Sequence, residues 1–185
     1  MADGIYYRDS RQPFVIADQA AVTLLSTDLN LFPKELTLFP ANYWTVGKTI
    51  KLTAWGKMTT AATPGNLVVG IGIGPQLNPP TIVKKSAAKA LQATQTDQSW
   101  RFEAYCTCRT VGTAGANSTM MMYGEFKTTV TTLLSTVNPV LIPDSANTAV
   151  SFDATIANNL TLIANRSGST AETMATQGLY VEALN

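Results

Sequence analysis

Lys48-Thr49-Ile50-Lys51-Leu52-Thr53-Ala54-Trp55-Gly56-Lys57-Met58-Thr59-Thr60 alternates without a break. Ile50, Leu52, Ala54, Gly56 and Met58 fall on one side of an extended chain. Thr49, Lys51, Thr53, Trp55 and Lys57 fall on the other. Strict period 2 over that length reads as a half-buried strand. Gln98 to Thr110 repeats the pattern. Trp100, Phe102, Ala104, Cys106 and Cys108 share one face; Arg101, Glu103, Tyr105, Thr107 and Arg109 share the other. Ser118 to Val130 runs back after the Gly112–Asn117 turn, with Met120, Met122, Gly124 and Phe126 inward.

Working outward, Thr63-Pro64-Gly65-Asn66 is a turn, and Leu67 to Ile73 returns as a hairpin partner. Ala20 to Ser26 and Glu35 to Phe39 read as short strands. Residues 81 to 93 read as strand then loop. Asn147 to Ile156, Leu160 to Ala164 after an Asn158-Asn159 turn, and Leu179 to Leu184 complete the set. The expectation is all-β: eight to ten strands in an antiparallel sandwich or barrel, with no helix of consequence. No internal repeat divides the chain. Residues 1–18 read as an extended arm, and residues 19–185 as one sandwich domain.

Composition agrees. The 185 residues are 45% hydrophobic, enough for a core, but only 14% charged, with a net charge of +1. The 27 threonines suit strands. A field this weak draws in neither nucleic acid nor an acidic membrane. Histidine is absent, which removes Ser-His-Asp triads, Cys-His dyads and His-ligated metals. The N-terminus lacks a basic n-region and an apolar h-region. Cys106 and Cys108 lie about 6.6 Å apart along a strand with parallel side chains, a poor disulfide geometry, and read as buried free thiols.

Few residues point to chemistry. Gly70-Ile71-Gly72-Ile73-Gly74 lacks the G-x-G-x-x-G spacing and reads as a strand whose bare face is crossed closely by another segment. Glu103 and Glu125 face outward on neighbouring strands. With Arg101, Arg109 and Lys127 beside them they read as a charge ladder rather than a glycosidase pair. Lys84, Lys85 and Lys89 read as a solvated basic loop. No catalytic, cofactor-binding or metal-binding residue is expected. The candidate partner contacts are Tyr6, Tyr7, Arg8, Arg11 and Phe14 of the arm, which is expected to dock on another subunit, and Trp55, which projects from the outer face of its strand.

Trp100-x-Phe102-Glu103-Ala104-x-x-Thr107-Cys108-Arg109-Thr110-x-Gly112-x-x-Gly115 resembles a segment that recurs in small tailed-bacteriophage virion proteins. So does Val46-Gly47-Lys48-Thr49-Ile50-x-Leu52-x-Ala54-x-Gly56, followed by Thr63-Pro64-Gly65. The resemblance covers residues 43 to 126. It implies a jelly-roll sandwich in the virion, most like capsid decoration (cement) proteins. Such a protein is made in the host cytoplasm, sits on the capsid exterior, binds the major capsid protein and is often a homotrimer. The alternative is a tail-associated or receptor-binding module that recognises a host surface glycan. Neither implies an enzyme, a cofactor, nucleic acid or a membrane as partner.

Overall fold

Alternation builds the long strands, and the loss of alternation ends them. The computed structural model describes residues 19–32, 37–77, 80–128, 139–168 and 171–185. Among these there are thirteen strands and no helix. Short β1 (Val22–Thr23), β2 (Leu29–Asn30) and β3 (Leu38–Phe39) precede β4 (Thr49–Thr59) and β5 (Asn66–Leu77). Then come β6 (Pro80–Lys85), β7 (Lys89–Ala90), β8 (Gln98–Thr110) and β9 (Ser118–Thr128). The chain closes with β10 (Val140–Ile142), β11 (Val150–Phe152), β12 (Asn158–Arg166) and β13 (Thr173–Ala183).

The strands form two antiparallel sheets. The seven-stranded sheet runs β1-β13-β4-β8-β9-β10, with β11 also on β9. The six-stranded sheet runs β2-β12-β5-β6, with β3 on β12 and β7 on β5. Taking β2 with β3 and β6 with β7 as single positions, and setting β9–β11 aside, eight positions remain. One sheet then orders them first, eighth, third, sixth, and the other second, seventh, fourth, fifth. That winding is a jelly roll. The hairpin strand β9, with β10 and β11, widens one sheet beyond it.

One core lies between the sheets. Ile50, Leu52, Ala54 and Met58 of β4 meet Trp100, Phe102, Ala104 and Cys106 of β8, all at most 1% exposed. Val69, Ile71 and Ile73 of β5 and Leu160, Leu162 and Ala164 of β12 cover them from the second sheet. Trp100 and Phe126 stack with centroids 5.7 Å apart. Phe39, Tyr43, Trp44 and Phe152 close one end as an aromatic cluster. Gly56 sits where a Cβ would lie 1.9 Å from the Ala175 carbonyl oxygen, so β4 and β13 approach there as only glycine permits.

Several expectations need correction. Among the described residues there are thirteen strands rather than eight to ten, because short edge pieces count separately. Ala20–Ser26 is strand only at Val22–Thr23, β1 on β13; the chain then crosses to the other sheet, where β2 pairs with β12. Asn158 and Asn159 are not a turn but the start of β12, paired with Phe39 and Leu38. Only Val150–Phe152 of the Asn147–Ile156 stretch is strand. Beyond it, Asp153 accepts bonds from the Thr155 N–H and hydroxyl, a local turn that outcompetes the ladder. The last strand begins at Thr173, six residues early, and carries a bulge between Thr176 and Gly178 that breaks the visible alternation. Lys84, Lys85 and Lys89 lie on β6 and β7 and are engaged, with Thr148, Asp28 and Asp144 respectively.

A buried ion pair ties the start of the fold to its end. Glu172 is fully buried and lies 3.3 Å from the Arg166 Nε. Its other oxygen accepts the Gly65 N–H at 3.1 Å. Arg166 also donates to the carbonyls of Leu24 and Gly168. Removing the cation strands a buried carboxylate. Arg166→Ala is therefore expected to cost about 3–5 kcal/mol in a denaturant melt, with Glu172→Gln costing less because the Gly65 bond survives.

Candidate interaction face

The outer face of the seven-stranded sheet is a grid set by register. One row runs Tyr180, Thr53, Glu103, Glu125, Leu141 across five strands. The next runs Glu182, Lys51, Tyr105, Tyr123. A third runs Gly178, Trp55, Arg101, Lys127. Each of these side chains points away from the core because its sequence neighbours point into it.

Trp55 stands on this outer face, half-buried. Its ring lies over Gly178, where a Cβ would come within 2.1 Å of it, and against Tyr180 at a centroid distance of 5.1 Å. No edge segment covers it among the described residues; the β13 bulge supplies the floor it rests on. Tyr6, Tyr7, Arg8, Arg11 and Phe14 lie outside the described residues. Sequence reasoning did not single out Tyr105, Tyr123, Tyr180 and Leu141. Tyr123 is 45% exposed and Leu141 41%. The outward phase of β8 and β9 already placed Tyr105 and Tyr123 on this face. Leu141 belongs to β10, too short to show a period.

The carboxylate pair is real and engaged. Glu103 and Glu125 are direct cross-strand neighbours. Glu103 takes the Tyr105 hydroxyl at 2.8 Å, Lys51 at 3.2 Å and Arg101 at 3.4 Å. Glu125 pairs with Lys127. Partial burial pushes the Glu103 carboxyl up, but the Tyr105 hydrogen bond and the Lys51 charge outweigh it and hold it below the ordinary 4.5. Burial pushes the Lys51 ammonium down, and the Glu103 hydrogen bond and charge outweigh it to raise it. A general acid needs the opposite shift. The ladder is therefore electrostatically satisfied within itself.

Two depressions of about 240 and 280 Å³ lie beside Arg101, one against Glu125 and Lys127, the other against Tyr180 and Glu182. Both fall below the roughly 300–1,000 Å³ of small-molecule pockets. No three carboxylates or thiols cluster as a metal site among the described residues. Cys106 and Cys108 are buried and unbridged, and burial pushes the Cys106 thiol up to about 12. No family model matches this chain, and no curated protein does either.

Two outcomes follow for this face. Gly178→Ala is expected to lift Trp55 off its seat, shifting tryptophan fluorescence and costing about 1–2 kcal/mol, with Trp55→Ala costing a similar amount. Glu103 ionises more readily folded than unfolded, so it contributes stability above its unfolded value that is lost as pH falls through the lower folded value. The stability gap between wild type and Glu103→Gln should close as melts are taken from pH 7 to below 4.5.

Proposed function

We propose that this chain is a structural virion protein of a tailed bacteriophage that decorates and stabilises the capsid shell. It is made in the host cytoplasm and mounted on the capsid exterior. In this reading its partner is the major capsid protein, its own assembly is a homotrimer, and it performs no catalysis. The supporting observation is the outer face of the seven-stranded sheet. Tyr123 and Leu141 are exposed there beside half-buried Trp55, Tyr105 and Tyr180. The charges among them are already paired with one another. Aromatic anchors ringed by neutralised polar groups suit a broad protein partner, which desolvates such a surface without stranding a charge. The resemblance of residues 43–126 to small virion proteins names the setting.

One observation favours a second reading, a tail-associated module that recognises a host surface glycan. Tyr123, Tyr180 and Trp55 stand on one sheet face, and aromatic side chains on a sheet can stack on sugar rings. Copy number separates the two. Gel analysis of purified particles should show this chain in numbers comparable to the major capsid protein; a handful per particle supports the tail reading and overturns the shell reading.

The face itself is tested by mutation. Tyr123→Ala combined with Leu141→Asp should leave the melting temperature within a few degrees of wild type. The same variant should weaken co-sedimentation with undecorated capsids by on the order of thirtyfold, the loss of about 2 kcal/mol typical of a hot spot. Unchanged co-sedimentation, or wild-type binding abolished by free glycan, sinks the assignment.

A further inference from the structure

On the outer side of the six-stranded sheet, one carboxylate holds a lysine and a side-chain amide at the same time. Lys85, the last residue of β6, sits level with Gly70 of β5, which puts no side chain between it and β12. The lysine reaches over β5, and its Nζ lies 2.7 Å from Asp28 Oδ2. Asn165 of β12, opposite Val68, donates from its Nδ2 to Asp28 Oδ1 at 2.5 Å. Asp28 stands immediately before β2 with its side chain only 12% exposed, and Asn165 is half-buried. Three segments far apart in sequence thus meet at one carboxyl group. The other lysine–carboxylate pairs are Lys51–Glu103, Lys57–Asp97, Lys89–Asp144 and Lys127–Glu125, and none has a side-chain amide on its carboxylate among the described residues.

That geometry suits an acyl transfer. A carboxylate only accepts, so the amide must turn its nitrogen, not its oxygen, toward Asp28. This nitrogen is the group that leaves when an amine attacks Asn165 Cγ, and an amine stands on the carboxylate's other oxygen. We propose that this chain joins Lys85 to Asn165 by an isopeptide bond, with Asp28 as the proton carrier. The Lys85 ammonium first passes a proton to Asp28 Oδ2. The neutral Nζ then attacks Cγ and forms the new C–N bond. Asp28 delivers a proton from Oδ1 to Nδ2 and takes one from Nζ at Oδ2, and the Cγ–Nδ2 bond breaks with release of ammonia. The ammonia carries off the proton left on Asp28 as ammonium. Atoms and charge balance with no further reactant.

Proximity supplies the rate. Amine and amide are held on one carboxyl group, which turns a bimolecular aminolysis into a reaction within one chain. Ile163, fully buried, leans over Gly70 beside the lysine's path and keeps that side apolar. The reaction has to occur only once in the life of a molecule, so a rarely populated neutral pair of Lys85 and Asp28 suffices. An ion pair with a lysine this exposed adds little stability by itself. The covalent bond pins β6, at the edge of its sheet, to β12 across β5. No disulfide does comparable work, since Cys106 and Cys108 are buried and unbridged. The bond follows from these side chains alone, whatever the chain's setting.

Intact-mass spectrometry of the full-length chain tests this. After incubation, the folded protein should weigh about 17 Da less than its sequence requires, the mass of one ammonia. A tryptic digest should show no cleavage after Lys85 and a branched peptide joining the residues around Lys85 to those around Asn165. Full sequence mass with a free Lys85 overturns the inference. Lys85→Arg should restore the full mass, because a guanidinium is not a nucleophile here. A deficit that persists in that variant arises elsewhere, as by imide closure at an asparagine, and overturns it too. Asp28→Asn should also stay at full mass although Lys85 and Asn165 both remain, and a crosslink formed without the carboxyl overturns the role of Asp28. The wild-type mass and digest decide the bond itself even where a variant fails to fold.

Discussion

The ladder between β4 and β8 governs the molecule. Ile50 faces Cys106, Leu52 faces Ala104 and Ala54 faces Phe102, and every one of them is buried. A strand's side chains alternate with period 2, so a slip of one residue would turn Lys51, Thr53 and Trp55 into the core and put Leu52 in water. That penalty locks the register. The same rule holds in the ladders to β13 and β9, and the registers together decide which residues meet on the outer face. Thr53 lies beside Glu103, and Lys51 beside Tyr105, because Leu52 must lie beside Ala104.

The outer surfaces of the two sheets have opposite characters. On the seven-stranded sheet the side chains are large and most of the charges are paired with one another, Arg101 with Glu103 and Lys127 with Glu125 along a strand and Lys51 with Glu103 across two. On the six-stranded sheet the central outward residues of β5 and β12 are glycine, isoleucine, threonine and asparagine, and they are buried. The same period-2 rule produces both. What differs is whether the outward residue carries a side chain that water or a partner can meet, or leaves backbone bare for another chain to approach.

Much of the fold was legible. β8 was read to its ends, and β4 and β9 nearly so, because their alternation is long and unbroken; β5 was expected to stop at Ile73 but runs through Gly74-Pro75 to Leu77. The short strands were not. Two or three residues carry no period, so β2 and β10 were missed, and β1 was read too long. Asn158-Asn159 looked like a hairpin turn because such dipeptides favour turns locally. Here pairing with β3 and β5 outweighs that preference. Of the outer face, Trp55 and the Glu103–Glu125 pair were found from strand phase. Tyr180 was not, because the bulge at Thr176/Gly178 hides the phase of β13 until the chain is folded.

By itself, then, the sequence determined that this is an all-β chain with a single core, which residues of its long strands face inward, and that histidine-dependent chemistry is closed to it. Those are consequences of composition and of local periodicity, which every stretch of chain expresses alone. Only the tertiary structure decided the strand order, the seat of Trp55 on Gly178, the burial of Glu172 against Arg166, and the burial of a glycine track beside an unpartnered Asn159. Each of these joins residues far apart in the chain. Long-range pairing is chosen by the packing of whole sheets against one another, and no local pattern records it.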